Sequence, residues 1–460
     1  MANDLTPTGG TNGSPSRYRS NAAKLAANPQ VRESVTSATL SFEARRAFAF
    51  DEIDAERWRD WAAAVRSHAI THLDRYLEQA EAALTTNGVQ VHWAADARDA
   101  LAVLGDVIEA RGVRSAVKAK SMVSEELGMN EFLEAEGIRV RETDLGEYVI
   151  QLLGEPPSHI VGPAIHRSLD DCRALFHERL GTPADASPDA LAAAARDTLR
   201  REFLEADLGI SGGNFIAADT GTVALIENEG NIRLCTSLPK THVAFVGIEK
   251  VVPRFADLAG LLQLTARAAT GQPIGNYVSL LQGPRRDDEP DGPEELHVVL
   301  VDNGRTDALA DREAWEALRC VRCGACLNSC PVYRQTGGHA YGWVYSGPIG
   351  AILAPAMLGL EEAMPLPFAS TLCGACEEVC PVRIPIPSLL RYWRRRAVEA
   401  GLVPMSESLG MAAFSRLAEH PRMFKGAGAV LTGTVERRAR VLRQLPVIGH
   451  WLGERELPER

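Results

Sequence analysis

The sequence lacks any apolar run close to the roughly 20 residues that a membrane-spanning helix needs. The nearest candidate, 349–360, is short and is interrupted by glycine and proline. The first forty residues are polar and carry no apolar core of a secretory signal. An Arg-Arg pair at 45–46 resembles a twin-arginine signal, but acidic residues follow at 51–54, where an apolar segment would stand. We therefore predict a cytoplasmic protein without a transmembrane segment.

Nucleotide-binding signatures are missing as well. No G-x-G-x-x-G motif follows a predicted strand, no Walker loop is present, and the glycines of GISGGN (209–214) lack the strand-to-helix context that gives such a motif meaning. One Asp-Thr-Gly, at Asp219, does not predict an aspartic protease, because that chemistry needs two carboxylates that share a proton. Without a flavin or nicotinamide site, we expect the chain not to oxidise an organic substrate by itself.

Positive charge is in short supply over most of the chain. The net charge is −11, and the basic residues are concentrated towards the C-terminus. Nucleic-acid binding depends on clustered Lys and Arg that neutralise phosphates. An acidic body therefore argues against a nucleic-acid partner, and we interpret residues 401–460 as a helical basic tail.

Helical and strand patterns alternate through the first two thirds of the chain, which predicts an α/β domain with a mostly parallel sheet covered by helices. The predicted helices are 58–84, 97–112 and 124–137, and the predicted strands are 89–95, 113–119, 138–142, 158–164, 222–228, 242–248 and 295–302. The domain boundary is expected near Asp302–Asp311. The predicted organisation is a flexible N-terminal arm (1–40), the α/β domain (41–305), a helical domain that carries the clustered cysteines described next (306–400) and the C-terminal tail (401–460).

Cysteine is scarce, with nine residues in 460, yet seven of them fall in two short runs that repeat one pattern. The first run is CVRCGACLNSCPV (320–332) and the second is STLCGACEEVCPV (370–382). The first has the spacing of bacterial ferredoxins, in which three closely spaced thiolates hold one cubane and the fourth cysteine ligates the other cluster. A structural zinc is the alternative, but zinc ligands usually come as two Cys-x2-Cys pairs across a longer gap.

The crossed pattern assigns every clustered cysteine to one of two iron–sulfur clusters, most simply of the [4Fe–4S] type. Cluster one takes Cys320, Cys323, Cys326 and Cys380, and cluster two takes Cys330, Cys373 and Cys376, with Ser370 at its fourth position. Three outcomes remain open at that position: a fourth iron bound by Ser370, water or another side chain; a [3Fe–4S] cluster that lacks this iron; or a ligand from elsewhere.

Other residues near or outside the runs have simpler interpretations. Cys172 and Cys235 lie in the α/β domain and are interpreted as small buried hydrophobic residues. The aromatic and glycine-rich insert between the runs is typical of a helical ferredoxin module. Its His339, Tyr341 and Trp343 either line a route of electron entry or pack around the clusters.

Four segments of the α/β region resemble the lactate-utilization (LUD) domain. They are KAKSMVSEELGMNEFLEAEGIRVRETDLGEYVIQL (118–152), PSHIVGPAIH (157–166), ADLGISGGNFIAADTGTVALIENEGNIR (206–233) and HVAFVGIEKVVP (242–253). Joined to the two cysteine runs, they resemble the lactate utilization protein B family over most of the chain. The seven cysteines and the serine at the eighth position are in keeping with that family.

The resemblance implies a sheet related to the ribose-phosphate isomerase and CoA-transferase fold. It also implies an electron-transfer role in oxidation of L-lactate to pyruvate, with two companion subunits, a cysteine-rich-domain protein and a second LUD-domain protein. We expect a cytosolic electron-transfer subunit whose electron acceptor is unidentified. Two alternatives stay open: an enzymatic LUD domain that acts on a hydroxy acid or acyl ligand with the clusters as internal acceptors, and a structural or redox-sensing scaffold. No catalytic residue is assigned.

Overall fold

The computed structural model describes residues 14–426 of the 460-residue chain. Within them, residues up to 395 form one compact unit, and residues from 396 belong to a second. None of the helices within 14–426 is long and apolar enough to cross a membrane.

Ten strands form two sheets. The strands are β1 Gln90–Ala94, β2 Ser115–Lys118, β3 Arg139–Glu142, β4 Leu208–Ser211, β5 Phe215–Ala217, β6 Thr222–Glu227, β7 Thr241–Gly247, β8 Val251–Val252, β9 Tyr277–Leu281 and β10 Glu295–Val301. The larger sheet has the order β1-β10-β7-β4-β2-β3, and all its neighbouring strands are parallel. The smaller sheet, β8-β5-β6-β9, is mixed. The predicted α/β class with a mostly parallel sheet is confirmed.

Twenty α-helices surround and follow these sheets in the described part of the chain. They are α1 Tyr18–Ala26, α2 Pro29–Asp51, α3 Ala55–Thr71, α4 Leu73–Thr86, α5 Ala97–Arg111, α6 Met122–Glu126, α7 Met129–Ala135, α8 Leu145–Leu153, α9 Leu169–Leu180, α10 Pro188–Glu205, α11 Asn231–Ser237, α12 Phe255–Thr270, α13 Arg305–Ala310, α14 Ala325–Asn328, α15 Pro331–Thr336, α16 Gly347–Met357, α17 Leu360–Ala363, α18 Ala375–Glu378, α19 Ile386–Glu399 and α20 Met405–Ala418. The predicted α/β region is thus followed by a helical cysteine region.

The central strands of the parallel sheet are apolar on both faces because helices cover both sides. Val243 and Phe245 of β7 pack with α5 and α7, whereas Ala244 and Val246 pack with α4 on the opposite face. Continuous apolar strands of this kind are typical of parallel sheets. The core therefore lies in two layers, one on each side of β7 and β10.

Two predicted helices are each divided in two. The expected helix 58–84 breaks at His72, which separates α3 from α4, and the expected helix 124–137 breaks at Gly128. Gly128 has φ +67° and stands just before α7. A left-handed residue ends the helical hydrogen-bond ladder, and glycine adopts that conformation without steric cost.

The predicted flexible arm is wrong over the residues that the structure describes. Residues 18–26 and 29–51 are helices, and Val35 is completely buried. Asn28 caps α2 by accepting the backbone N–H groups of Gln30 and Val31. Helix α2 packs against α12 and against α14 and α15 of the cysteine region, so burial orders this polar-looking segment. Residues 1–13 lie outside the described part.

The predicted strand at 158–164 is also wrong, because the segment forms turns. The imidazole of His159 accepts the backbone N–H groups of Val161 and Gly162 at Nδ1, 3.0 and 3.1 Å away. Its Nε2 lies 3.1 Å from Oδ1 of Asn328, in the first cysteine run. The His159 side chain thus takes the hydrogen bonds that a neighbouring strand would otherwise make with this segment. It also connects the segment to the cysteine region.

The expected boundary near Asp302–Asp311 lies inside the first compact unit. Side chains from α3 and α13 cross between the α/β part and the cysteine region, as described below. In the expected C-terminal tail the structure describes α20, Met405–Ala418, and residues 427–460 of that tail lie outside the described part.

Candidate iron–sulfur site

The two cysteine runs have the same backbone conformation. Arg322 and Leu372, at equivalent positions, are among the few non-glycine residues with positive φ, at 59° and 56°. Gly324 and Gly374 follow with φ of 75° and 89°. A four-residue helix comes next in each run, α14 and α18. The repeat in the sequence is therefore a repeat of structure, with left-handed turns at the same two positions of each loop.

Ser370 lies at the position of the second run that is equivalent to Cys320 in the first. In the first run the Sγ atom of Cys320 accepts the backbone N–H of Arg322 at 3.3 Å. In the second run the Oγ atom of Ser370 accepts the backbone N–H of Leu372 at 3.1 Å. The hydroxyl thus occupies the position, relative to its loop, that the first thiol occupies in the other.

The pKa shifts of the thiols indicate two groups, with one link between them, the influence of Cys376 on Cys326. Burial raises the pKa of Cys323 to about 12, and Cys320 and Cys380 add to the rise. Burial likewise raises the pKa of Cys326 well above its usual value, with contributions from Cys320, Cys323, Cys376 and Cys380. Cys320, Cys323, Cys326 and Cys380 also line one cavity. We call these four residues the inner group.

Cys330, Cys373 and Cys376 form the second set, which we call the outer group: Cys373 contributes to raising the pKa of Cys330 after the larger effect of burial. Burial raises the pKa of Cys376 to about 12, with further contributions from Cys330 and Cys373. Each group therefore draws residues from both runs, with Cys380 in the inner group and Cys330 in the outer group. Cys373 is the one exposed thiol among the seven, because Cys320, Cys323, Cys330, Cys376 and Cys380 are buried and Cys326 is half-buried.

Neither group is gathered closely around one point. Among residues 14–426, no three His, Cys, Asp or Glu side chains are arranged to hold a single metal ion. Thiolates are the ligands that iron–sulfur clusters take. The chemistry of the donors and their division into a set of four and a set of three fit two clusters rather than one ion.

Arginines from the N-terminal helices hold the second run in place. Arg59 on α3 donates from Nε to the carbonyl oxygen of Cys380 at 3.0 Å and from Nη2 to that of Glu377 at 3.2 Å. Arg46 on α2 donates to the carbonyl oxygen of Val379 at 2.9 Å. These contacts satisfy the carbonyl groups at the end of α18 and so position Cys380.

Buried charges beside the inner group are unbalanced. The cations are Arg66, Lys250, Arg305 and Arg322, and the carboxylates are Glu126 and Glu249. Arg305 pairs with Glu126 through two hydrogen bonds of 2.8 and 2.9 Å and with Glu249 at 2.5 Å. Burial would raise the pKa of Glu249, but Arg305 and Lys250 outweigh it and lower that pKa to about 2. Three guanidinium groups, together with Lys250, whose pKa burial lowers to about 7, thus stand against two carboxylates.

Arg322 provides a direct test of whether an anionic cluster fits. Its side chain is 7% exposed, and it lies over the ring of Tyr345 with 4.3 Å between the guanidinium carbon and the ring centroid. Its Nε and Nη1 atoms have no hydrogen-bond partner within the described protein. Because Arg322 also lines the cavity between the four inner thiols, the free donors and the surplus positive charge both suit a negatively charged cluster there.

The remaining cysteines lie away from both groups. Cys235 is buried in α11, where its sulfur lies 3.4 Å from the hydroxyl of Thr143, and burial raises its pKa to about 12. Cys172 is half-buried in α9 and packs on the apolar cluster around Tyr148 and Phe176. Both positions match the interpretation of these residues as small hydrophobic groups.

The aromatic residues of the insert take part in packing. His339 contacts the carbonyl oxygen of Pro156 at 2.8 Å, and the rings of Trp343 and Tyr345 lie edge to face at 5.0 Å. The pKa of Tyr341 is raised by burial and, to a smaller extent, by Tyr18 and Cys330.

Sequence analysis did not identify Tyr18, Tyr333 or the four buried cations as parts of the site. Tyr18 and Tyr333 pack on Tyr341 at 5.1 and 6.2 Å, and Tyr18 comes from a segment expected to be flexible. Arg66 carried a readable signal, because it lies at helical spacing among the buried residues Ala62, Ala63, Ala69 and Ile70 of α3. A charged residue within an apolar helical stripe usually has a buried partner.

Comparisons with known proteins match both halves of the chain. The LUD domain model matches residues 77–301, and the 4Fe-4S dicluster domain model matches residues 316–384. Lactate utilization protein B of Bacillus licheniformis is 46% identical over 86% of this chain and 84% of its own length. The Bacillus subtilis protein of the same name is 45% identical over the same shares.

Two further similarities were found. The uncharacterized electron transport protein YkgF of Escherichia coli K12 is 43% identical over 94% of this chain and 92% of its own length. A crystal structure of a DUF162 family protein from Deinococcus radiodurans covers 50% of this chain and 98% of its own, with a TM-score of 0.27 and 14% identity.

Proposed function

The chain belongs to the lactate utilization protein B family, and from that premise we propose that it is an iron–sulfur electron-transfer subunit of a complex that oxidises L-lactate to pyruvate. The observation that carries this proposal is the presence, in one chain, of a LUD domain and a 4Fe-4S dicluster domain. Relatives that span nearly the whole chain are named for lactate utilization and for electron transport. The proposed site of action is the cytoplasm.

The proposed cofactors are two clusters with crossed ligation. Cluster one is assigned to the inner group and cluster two to the outer group, with Ser370 at the fourth position of cluster two. Clusters of this type, when bound, accept and pass on single electrons. The equivalent hydrogen bonds of Cys320 and Ser370 within their loops support the assignment of Ser370 to that position. Cluster two is proposed as [4Fe–4S] with three thiolates, which is prone to isolation as [3Fe–4S].

The exposure of Cys373 in the outer group supports a direction for the relay. Cys373 is exposed, so the outer group reaches the surface where another protein can approach. Residues of the inner group are buried beside the α/β part of the chain. We assign the outer group to exchange with companion subunits or with the unidentified electron acceptor. The companions are a cysteine-rich-domain protein and a second LUD-domain protein.

One observation favours the alternative in which the LUD domain is itself an enzyme. A cavity in the α/β part of the chain is lined in part by Cys323 of the inner group. A hydroxy acid or acyl ligand bound there would be next to cluster one. Lactate oxidation by this chain alone would then be possible.

The experiment that separates these functions is anaerobic addition of L-lactate to the reconstituted chain. Cluster reduction is followed by bleaching of visible absorbance and by electron paramagnetic resonance (EPR). We expect no reduction with the chain alone and reduction when both companion subunits are added. Rapid reduction of the chain alone would favour the enzymatic alternative.

Cysteine variants provide the controls for this experiment. Cys320→Ala removes one inner thiol and is expected to abolish reduction of cluster one by the complete complex. Cys172→Ala removes a half-buried thiol outside both groups and is expected to leave reduction unchanged. Equal behaviour of the two variants would contradict the proposed role of the inner group.

A further inference from the structure

A cavity opens at the carboxyl edge of the parallel sheet. Lys120 and Ser121, which follow β2, line it together with Gly212 and Asn214, which follow β4. Strands β2 and β4 are neighbours, but the chain continues from β2 to β3 on one side and from β4 towards β7 on the other. A crevice at such a reversal of strand order is where open α/β sheets bind ligands. The position of the cavity therefore marks it as a ligand site.

The same cavity adjoins the inner cysteine group. Arg322 and Cys323 line this cavity and also the cavity enclosed by the four inner thiols. Ile160 lines both as well, so these three residues form the wall between the two spaces. A ligand in the cavity at the sheet edge would be separated from cluster one by this single layer of side chains.

Acidic side chains that line the cavity already have partners. Each of Asp144, Glu227 and Glu229 accepts at least one backbone N–H. The pairs are Asp144 with Glu147 at 3.1 Å, Glu227 with Ile232 at 2.7 Å and with Arg233 at 3.1 Å, and Glu229 with Leu145 at 3.1 Å. These carboxylates are held by the fold, and burial together with the charge of Asp144 raises the pKa of Glu229 to about 7.

The lysines of the cavity are poorly satisfied by comparison. Among the described residues, Nζ of Lys120 has one hydrogen-bond acceptor, the carbonyl oxygen of Val161 at 3.4 Å, and its charge lowers the pKa of Glu147 and of Glu229 against the larger effect of burial. Lys250 is 5% exposed, and its Nζ lies 3.4 Å from the carbonyl oxygen of Cys320 and 3.9 Å from Glu249. Charge-assisted hydrogen bonds are normally about 2.7–2.9 Å long. A buried ammonium with such long contacts is costly unless an anion completes its surroundings.

We propose that this cavity binds a small organic carboxylate, with its anionic group between Lys120 and Lys250 and its body against the apolar residues Ile160, Leu225 and Ile232. A singly charged carboxylate suits the site better than a phosphate. The three fixed acidic side chains would repel a doubly charged group more strongly. The assignment is independent of the proposed electron-transfer role, because it depends on the cavity and its charges.

A bound carboxylate would be coupled to cluster one through the shared wall. An anion next to Cys323 opposes the arrival of an electron on that cluster, and reduction of the cluster weakens binding of the anion by the same factor. A tenfold weakening corresponds to a fall in the cluster's reduction potential of about 59 mV for one electron. Occupancy of the cavity therefore regulates the inner cluster.

The test is calorimetric titration of the anaerobically reconstituted holoprotein with pyruvate, L-lactate, propionate and benzoate. Methyl lactate serves as a neutral probe and inorganic phosphate as a competing anion. We expect at least one carboxylate to bind and methyl lactate not to bind. Absence of binding by all four carboxylates, or tighter binding of phosphate, would overturn the proposal.

Variants localise the binding. Lys120→Met and Lys250→Met should each weaken the carboxylate about tenfold to a hundredfold, the usual effect of losing a hydrogen bond to a charged group. Lys240→Met is the matched control, because its side chain is 81% exposed on the surface, and should bind as the wild type does. Lys120 is only partly buried, so its variant remains informative if Lys250→Met fails to fold. Unchanged affinity in Lys120→Met would refute the site.

Coupling is measured separately by redox titration of cluster one. Saturation with the carboxylate should lower its midpoint potential in the wild type, and the shift should disappear in Lys120→Met. A carboxylate that binds without shifting the midpoint would refute the proposed location beside Cys323.

Discussion

Arg66 joins the α/β part of the chain to the cysteine region through backbone carbonyl groups. Its guanidinium is completely buried and donates to the carbonyl oxygens of Val251 at 3.0 Å, Leu318 at 3.1 Å and Arg319 at 3.2 Å, and to that of Glu249. Leu318 and Arg319 directly precede Cys320. One side chain on α3 thus fixes both the start of β8 and the start of the first cysteine run.

Arg66→Met should leave these carbonyl groups without donors in a buried place. Removing one partner of a buried charged network typically costs about 3–5 kcal/mol, and each unsatisfied buried acceptor costs about 1–3 kcal/mol. We expect the free energy of unfolding to fall by about 3–5 kcal/mol. Arg66→Lys should lose less, about 1–3 kcal/mol, because an ammonium retains three donors but cannot reach all four acceptors.

The assay is urea-induced unfolding under anaerobic conditions, followed by tryptophan fluorescence and by loss of cluster absorbance. Arg57→Met, on the exposed face of the same helix, is the control and should stay within about 0.5 kcal/mol of the wild type. If Arg66→Met were as stable as Arg57→Met, the inference that Arg66 stabilises the start of the first cysteine run would be refuted.

Other predictions concern the serine and a buried histidine. Ser370→Cys should supply a fourth thiolate to cluster two, suppress its oxidative conversion to a three-iron form and lower its potential, as EPR and redox titration can check; unchanged behaviour would show that residue 370 does not face the labile iron. Burial lowers the pKa of His242 to about 3, whereas an unfolded histidine titrates near 6.5. The unfolded chain therefore binds the extra proton between these values, and stability rises with pH up to about 6.5. His242→Gln should reduce the loss of stability between pH 7 and pH 5 in urea titrations, and an identical loss in both proteins would contradict this assignment.

The sequence predicted the features that depend on local pattern. Apolar runs such as 242–248 identify buried parallel strands because every residue of β7 is buried. The spacing of cysteines identifies the repeated loops because the same glycine and the same left-handed turn recur in both. The glycine that ends α5, Gly112, has φ +60°, which is why that helix boundary was readable.

Features that depend on tertiary contacts were not predictable in this way. The strands β4, β5 and β8 are four residues long or shorter and carry little pattern. The polar appearance of residues 15–40 concealed two helices that are ordered by packing on the cysteine region. The apolar segment 158–164 forms turns rather than a strand because the ring of His159 makes hydrogen bonds with its backbone. In each case a partner distant in sequence decides the local conformation.

Crossed ligation of two clusters is the central claim, and paired alanine variants test it most directly. Cys380→Ala, Cys330→Ala and the control Cys172→Ala are reconstituted anaerobically, assayed for iron and sulfide, and examined by EPR after mild oxidation, when cluster two is recognisable by a three-iron signal. Cys380→Ala should lose cluster one and keep the three-iron signal, Cys330→Ala should lose that signal and keep cluster one, and Cys172→Ala should match the wild type. Loss of the three-iron signal in Cys380→Ala, with its retention in Cys330→Ala, would show that each run serves its own cluster and would contradict the account.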